Sequence, residues 1–383
     1  MPETSSSPAE QQPAPPTVNP YEVKEKELQE LLAIVADALA FSPPLYPSSI
    51  LGHPWTWIPP HPKTSEFSAV NAQQLLKSFQ YLLDVSVPAL PVALPKNLPG
   101  FGDSVFWRPT TILFEPGINY DPYAFPDEAW IFVNGIATND RVSRINAQYL
   151  VSMFHRPMTI IQNATDSVGV DLLESVVGKA WEVHTEPAAK AYPFIHRALH
   201  DPTKKRVVVI CHSQGTIIMS NVLRALLNEE HRDFLDRAAR RAGAVDERDG
   251  CQPLEDPEHL NKLEVYAFAN AATVMCHMPG LQTSLGHPVP WIENFGNEFD
   301  LVARTGMLAP NKAKHGILID GGNYVKKGMW GHTLNTHYLF GINDHLSDPE
   351  RCSNDYRLQD DGSGAPERPR LYNYFGGQTP DPY

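Results

Sequence analysis

The sequence predicts an α/β protein: a mostly parallel central sheet with helices on both faces, plus a Pro-rich N-terminal extension. Two observations point there. From about Asp127 onward, short apolar runs alternate with helix-length amphipathic segments, the pattern of parallel strands joined by crossover helices and covered on both faces. The chain of 383 residues, 42% hydrophobic and 20% charged, also has the composition and length to bury a sizeable core.

Taken in order, residues 1–20 hold six prolines among Ser, Gln and Glu and are expected to be a disordered tail. Residues 21–126 read as a helical and Pro-rich extension. Within it, "YEVKEKELQELLAIVADALA" sets Leu28, Leu31, Leu32, Val35 and Leu39 at helical spacing. That amphipathic helix is expected to dock on the protein's own body; peripheral contact with a membrane or a partner is the alternative. "NAQQLLKSFQYLLDVS" predicts a second helix. The core spans 127–346. Its strands are "EAWIFVNGIA", "PMTIIQNAT", "RVVVI", "KLEVYAFAN" and "VPWIENFG". Its helices are "NDRVSRINAQYLVSMFHR", "SVGVDLLESVVGKAWEV", "TEPAAKAYPFIHRALHDP" and "GTIIMSNVLRALLNEE". The helical stretch 167–183 interrupts the alternation and is a candidate cap. The charged run 229–261 reads as an insertion extending the preceding helix. Residues 347–383 form a polar C-terminal tail, with "LYNYF" as its ordering element.

A formal net charge of −13 repels phosphate backbones, so no nucleic-acid partner is expected. Four cysteines without a CxxC pair make neither a disulfide framework nor a structural zinc site. The first twenty-three residues lack Lys, Arg and an apolar block, so no secretory signal is expected. No run of eighteen apolar residues predicts a transmembrane segment. A cytoplasmic, reduced protein is the expectation.

The chemistry concentrates in "KRVVVICHSQGTIIMSNVL", Lys205 to Leu223, where a β-branched run turns directly into a helical pattern. A turn that sharp can hold the oxygen of Ser213 in the open, provided the residues two before and two after it are small. Cys211 and Gly215 meet that condition. The segment resembles the nucleophile elbow of the α/β-hydrolase fold, with Cys in place of the usual first Gly of G-x-S-x-G. The resemblance covers roughly Asp127 to Leu346 and implies a lipase- or esterase-like serine hydrolase with the order serine, acid, histidine.

A serine hydroxyl needs a base, and the base needs an orienting carboxylate. In "WIENFGNEFDLVAR" the pattern G-x-x-x-D-x-V is similar to the acid loop of many family members and nominates Asp300, over Glu293 in the strand and Glu298 facing solvent. "GNYVKKGMWGHTLNTHYLFGI" offers His332 in a loop, with Thr333 able to start a helix, and His337 inside that helix as the alternative base. His345 and His315 are more remote choices, and in this family the residue at His212 is commonly for packing. The resemblance implies an oxyanion hole from the N–H groups of Gln214 and Ile136, with Gly135 giving the backbone room and Asn134 standing where His is usual. Cys211, at the strand end, reads as a structural thiol. His332 and His337 lie five apart, the wrong spacing for two ligands on one helix face, and no metal or cofactor is expected. The implied substrate is a small-molecule ester or thioester. The same acyl-enzyme serves an acyltransferase, and a non-catalytic binding protein of this fold is the reading from another class.

Overall fold

The computed structural model describes residues 21, 28–41, 49, 52, 64–66, 110–117, 119–135, 140–162, 185–241, 257–350, 355–359 and 364–382. The expected tail 1–20, the helix proposed near 71–86 and the candidate cap 167–183 lie outside them, as does much of the charged run 229–261.

The strands are β1 Thr111–Glu115, β2 Glu128–Val133, β3 Met158–Gln162, β4 Arg206–His212 and β5 Leu263–Phe268, then β6 Val274–Met275, β7 Trp291–Asn297, β8 Leu318–Ile319, β9 Gly322–Lys326 and β10 Arg357–Leu358. Eight of them form one sheet in the order β1-β3-β2-β4-β5-β7-β9-β10, and β6 pairs with β8 separately. The six inner strands are mutually parallel, and the two edge strands are antiparallel to their neighbours. This is the mostly parallel α/β sheet the alternation predicts.

The valine run of β4 is continuous because both of its faces are covered. Val207, Val209 and Cys211 point into one core, with Ala191 and Ile195 of helix α3 (Thr185–His200) and Ile218 and Val222 of helix α4 (Gln214–Leu227). Val208 and Ile210 point into the other, with Leu150 and Phe154 of helix α2 (Asp140–Phe154) and Leu371 and Tyr374 of the C-terminal segment. The period of two that a strand imposes is thus hidden in the sequence and visible in the packing.

Helix α5 (Glu229–Arg241) does not continue α4: the chain leaves helical geometry at Asn228, whose extended backbone separates the two. Helix α1 (Leu28–Phe41) lies on the body, with Ile34 and Ala38 buried, Ile34 against Ala309 and Ile317. Its Asp37 carboxylate bonds His315 at 2.8 Å and Lys314 at 3.1 Å. No helix among the described residues is long and apolar enough to cross a membrane.

At the amino end of the sheet, buried arginines and glutamates interlock. Arg156 pairs with Glu128 at 3.0 Å, and Arg370 with Glu264 at 3.4 Å. At the carboxyl end the strands open into the loops that carry Ser213, Asp300 and His332. In open parallel sheets that end is where ligands bind.

Candidate active site

Ser213 follows β4 directly, with φ 57° and ψ −126°. Such a conformation costs a residue with a side chain about 1–3 kcal/mol, so the surroundings must hold it. They do so from both sides. Its N–H donates to the Phe268 carbonyl at 2.9 Å, and its carbonyl accepts from the Thr216 N–H at 2.9 Å and the Thr216 hydroxyl at 2.6 Å. Gly215 has no room for a side chain: a Cβ there would lie 2.3 Å from the Val133 carbonyl oxygen. At Gly135 an added Cβ would meet the Ser213 Cβ at 2.5 Å, so the loop after β2 presses its bare backbone onto the serine. Cys211 is buried, and burial pushes its thiol well above the ordinary range.

His332 Nε2 lies 2.8 Å from Ser213 Oγ, and His332 Nδ1 lies 2.8 Å from Asp300 Oδ2. A carboxylate can only accept, so Nδ1 carries the ring hydrogen and Nε2 presents a lone pair to the serine hydroxyl. Asp300 is fully buried and takes two further bonds, from the Val302 N–H to Oδ1 at 2.8 Å and from the Tyr338 hydroxyl to Oδ2 at 2.6 Å. A buried carboxylate with three donors is held in one orientation, and with it the imidazole.

Two supports for this relay go beyond what the sequence suggested: His212, expected only to pack, and Asn297. The His212 ring lies 4.7 Å from that of His332, and its Nε2–H donates to the His332 carbonyl at 2.8 Å. Burial, then the neighbouring His332, pushes His212 well below the usual histidine range, so it stays neutral. Asn297, at the end of β7, donates to the carbonyls of Gly331 and His337 at 3.0 and 3.2 Å and accepts from the Tyr356 hydroxyl at 2.7 Å. These contacts lash the acid loop to the histidine loop. The spacing of Asn297 from Asp300 was readable; its role was not, because its partners lie more than thirty residues away.

The other candidates occupy different places. His337 accepts from the Thr333 N–H at 3.0 Å and from its hydroxyl at 2.7 Å, and burial pushes its pKa down to about 3. It supports the turn that follows His332. Glu293 sits in β7 and binds the backbone N–H groups of Arg370 and Leu371 at 2.6 and 3.1 Å. Glu298 accepts from the Gly328 N–H at 2.7 Å, His345 pairs with Asp355 at 2.9 Å, and His315 is taken by Asp37. Gln214 opens α4, where first-turn N–H groups face out of the helix's N-terminal end. Ile136 lies outside the described residues. Asn134 is buried and donates to Ser143 Oγ at 2.9 Å. Among the described residues no group of three or more His, Cys, Asp or Glu side chains is placed to hold a metal ion.

One expectation is corrected. The serine oxygen is not in the open: Ser213 is 0% exposed, and only the His332 side chain, 12% exposed, reaches the surface. Gly135 approaches the same oxygen closely: an added Cβ there would lie 3.1 Å from Ser213 Oγ.

No protein-family model matches the chain, and no curated protein matches it by sequence. Among solved structures, the chain is similar to a hyperthermophilic esterase from the archaeon Pyrobaculum calidifontis, at 10% identity and a TM-score of 0.33, over 76% of this chain and 92% of that one.

Proposed function

We propose that the chain is a serine hydrolase of the α/β-hydrolase type that cleaves an ester or thioester through an acyl-enzyme on Ser213. The observation that carries this reading is the unbroken hydrogen-bond relay Ser213 Oγ, His332, Asp300, with both links at 2.8 Å and the serine on a strained strand-to-helix turn. Strain of that kind is retained where a side chain has to be aimed.

In the proposed reaction the Ser213 oxygen bonds to the acyl carbon while His332 Nε2 takes its proton. Asp300 and Tyr338 keep the imidazole in the tautomer that can do so and stabilise the imidazolium that forms. The oxyanion takes hydrogen bonds from the Gln214 N–H and, by the resemblance, from that of Ile136. His332 then protonates the leaving alcohol or thiol as the carbon–oxygen or carbon–sulfur bond breaks. Water, deprotonated by the same imidazole, attacks the acyl carbon; the bond to Ser213 Oγ breaks, His332 returns the proton to that oxygen, and the acid leaves. Because Ser213 is covered at rest, its cover has to shift before an acyl group can enter.

Turnover of p-nitrophenyl esters of graded chain length tests the reading. Ser213→Ala is expected to lower kcat by roughly 10⁴-fold or more with the fold intact by circular dichroism. Hydrolysis that survives the substitution at the wild-type rate sinks it.

A further inference from the structure

The helix that follows His332 starts at Leu334, with Thr333 as its N-terminal flanking residue. A helix begins with N–H groups that have no partner inside it, and a Thr hydroxyl ordinarily satisfies one of them. Here it does not: the Thr333 hydroxyl is spent on His337 Nδ1, and no side-chain cap comes from position 333. The sequence supplies no substitute nearby.

The missing cap arrives from about 270 residues upstream. Glu66 Oε1 accepts from the Asn335 N–H at 2.7 Å, and Oε2 accepts from the Thr336 N–H at 3.0 Å and the Thr336 hydroxyl at 2.7 Å. Ser65 Oγ lies 3.1 Å from Thr336 Oγ1, and since the latter donates to Glu66, Ser65 is the donor in that pair. The Thr64 carbonyl accepts from Asn335 Nδ2 at 2.7 Å. Three consecutive residues of the N-terminal extension therefore bind two consecutive residues of the helix start. A carboxylate there also meets the positive end of the helix dipole.

The location gives this contact a function. His332 lies just before the capped turn. The entry to its loop is fixed by the acid loop, through Phe299 N–H to the Met329 carbonyl at 3.0 Å and Asn297 to the Gly331 carbonyl at 3.0 Å. The exit is fixed by Glu66. We propose that Glu66 is a positioning residue for His332: residues 64–66 of the extension set the angle at which the imidazole meets Ser213. This rests on the serine-hydrolase reading and adds to it that the N-terminal extension is a working part of the site.

The test is the second-order rate constant for labelling of the full-length protein by a fluorophosphonate. Ser213 Oγ displaces fluoride at phosphorus, and His332 receives the proton. Wild type, Glu66→Gln, Glu66→Ala and Asp37→Asn are compared, each with its labelling stoichiometry and melting temperature. Asp37→Asn takes the charge from an extension contact made to His315 and Lys314 and not to the histidine loop, and is expected to label within twofold of wild type. Glu66→Ala is expected to label to the same final stoichiometry but roughly 10- to 100-fold more slowly, the scale of a reacting group displaced by about 1 Å. Glu66→Gln keeps one acceptor oxygen and is expected to fall between the two. For p-nitrophenyl esters the loss should appear in kcat and not in KM. A lower stoichiometry with an unchanged rate per labelled molecule would make Glu66 a merely structural residue and overturn the proposal, as would labelling of both Glu66 variants at or above the wild-type rate. If wild type itself is not labelled, the hydrolase reading fails, an outcome distinct from either of these.

Discussion

At Asp300 three donors converge on one fully buried carboxylate, and each removes an alternative orientation. The Tyr338 hydroxyl is the informative one, because it shares Oδ2 with His332 Nδ1 and accepts in turn from the Asn297 N–H at 3.3 Å. A hydrogen bond to a charged group is worth about 1.5–3 kcal/mol. Tyr338→Phe is therefore expected to lower kcat for ester hydrolysis about tenfold or more while leaving KM near wild type. Activity within twofold of wild type would remove Tyr338 from the account. At this scale the sequence nominated Ser213 and Asp300 from the strands that precede them, and His332 from its loop before a helix start, with His337 as the alternative base. It was silent on Tyr338 and Glu66, and for His212 the resemblance implied only packing. Nothing local distinguishes a tyrosine that bonds Asp300 from one that only fills the core, and Glu66 finds its partners about 270 residues along the chain.

Among the elements, β9 is the instructive failure of sequence reading. "GNYVK" is wholly buried yet carries Gly322, Asn323 and Lys326, so no apolar run announces it. The edge strands β1 and β10 were missed for another reason. An edge strand needs only one covered side, and β1 leaves Phe114 54% exposed within a stretch that reads as extension. By contrast β4, β5 and β7, buried at nearly every position, stood out. The C-terminal helical turn Arg370–Gly377 carries the pH prediction at this scale. Its first N–H groups are capped by Glu293, which burial pushes up to about 7, against the opposing pull of those same two N–H bonds. A carboxyl raised in the folded state holds its proton where the unfolded chain has lost it. Its contribution to stability is therefore complete below the ordinary carboxylate range and is lost as pH rises through about 7. Wild-type melting temperature is expected to fall between pH 5 and 8, and Glu293→Gln, which cannot ionise, should flatten that part of the profile even if its melting temperature is lower throughout. An unchanged slope in the variant contradicts the assignment.

The whole molecule is organised by the two ends of its sheet. The amino end is closed by charge: Arg156, Arg206 and Arg370 stand among Glu128 and Glu264, with the C-terminal segment laid over them through Arg156 to the Thr379 hydroxyl and Arg206 to the Pro380 carbonyl. Buried ion pairs of this kind fix geometry more than they add stability, and breaking one by removing a single partner is costly. The carboxyl end is held together by hydrogen bonds that converge on the Asp300 carboxylate and by the extension, which among the described residues bonds to it through Tyr21 on the backbone of Cys276, Asp37 on His315 and Glu66 on Thr336. Composition alone marked the first third of the chain as an appendage to the core. One of its attachments, Glu66, reaches the turn that follows the base.

All of this depends on Ser213 being a nucleophile that His332 can deprotonate. The most direct measurement is mass spectrometry of peptides from the fluorophosphonate-treated protein. The account predicts one adduct, on the peptide containing Ser213, absent in Ser213→Ala and formed far more slowly in His332→Ala. An adduct that persists in Ser213→Ala, or a folded wild-type protein that takes up no phosphonate at all, would contradict it.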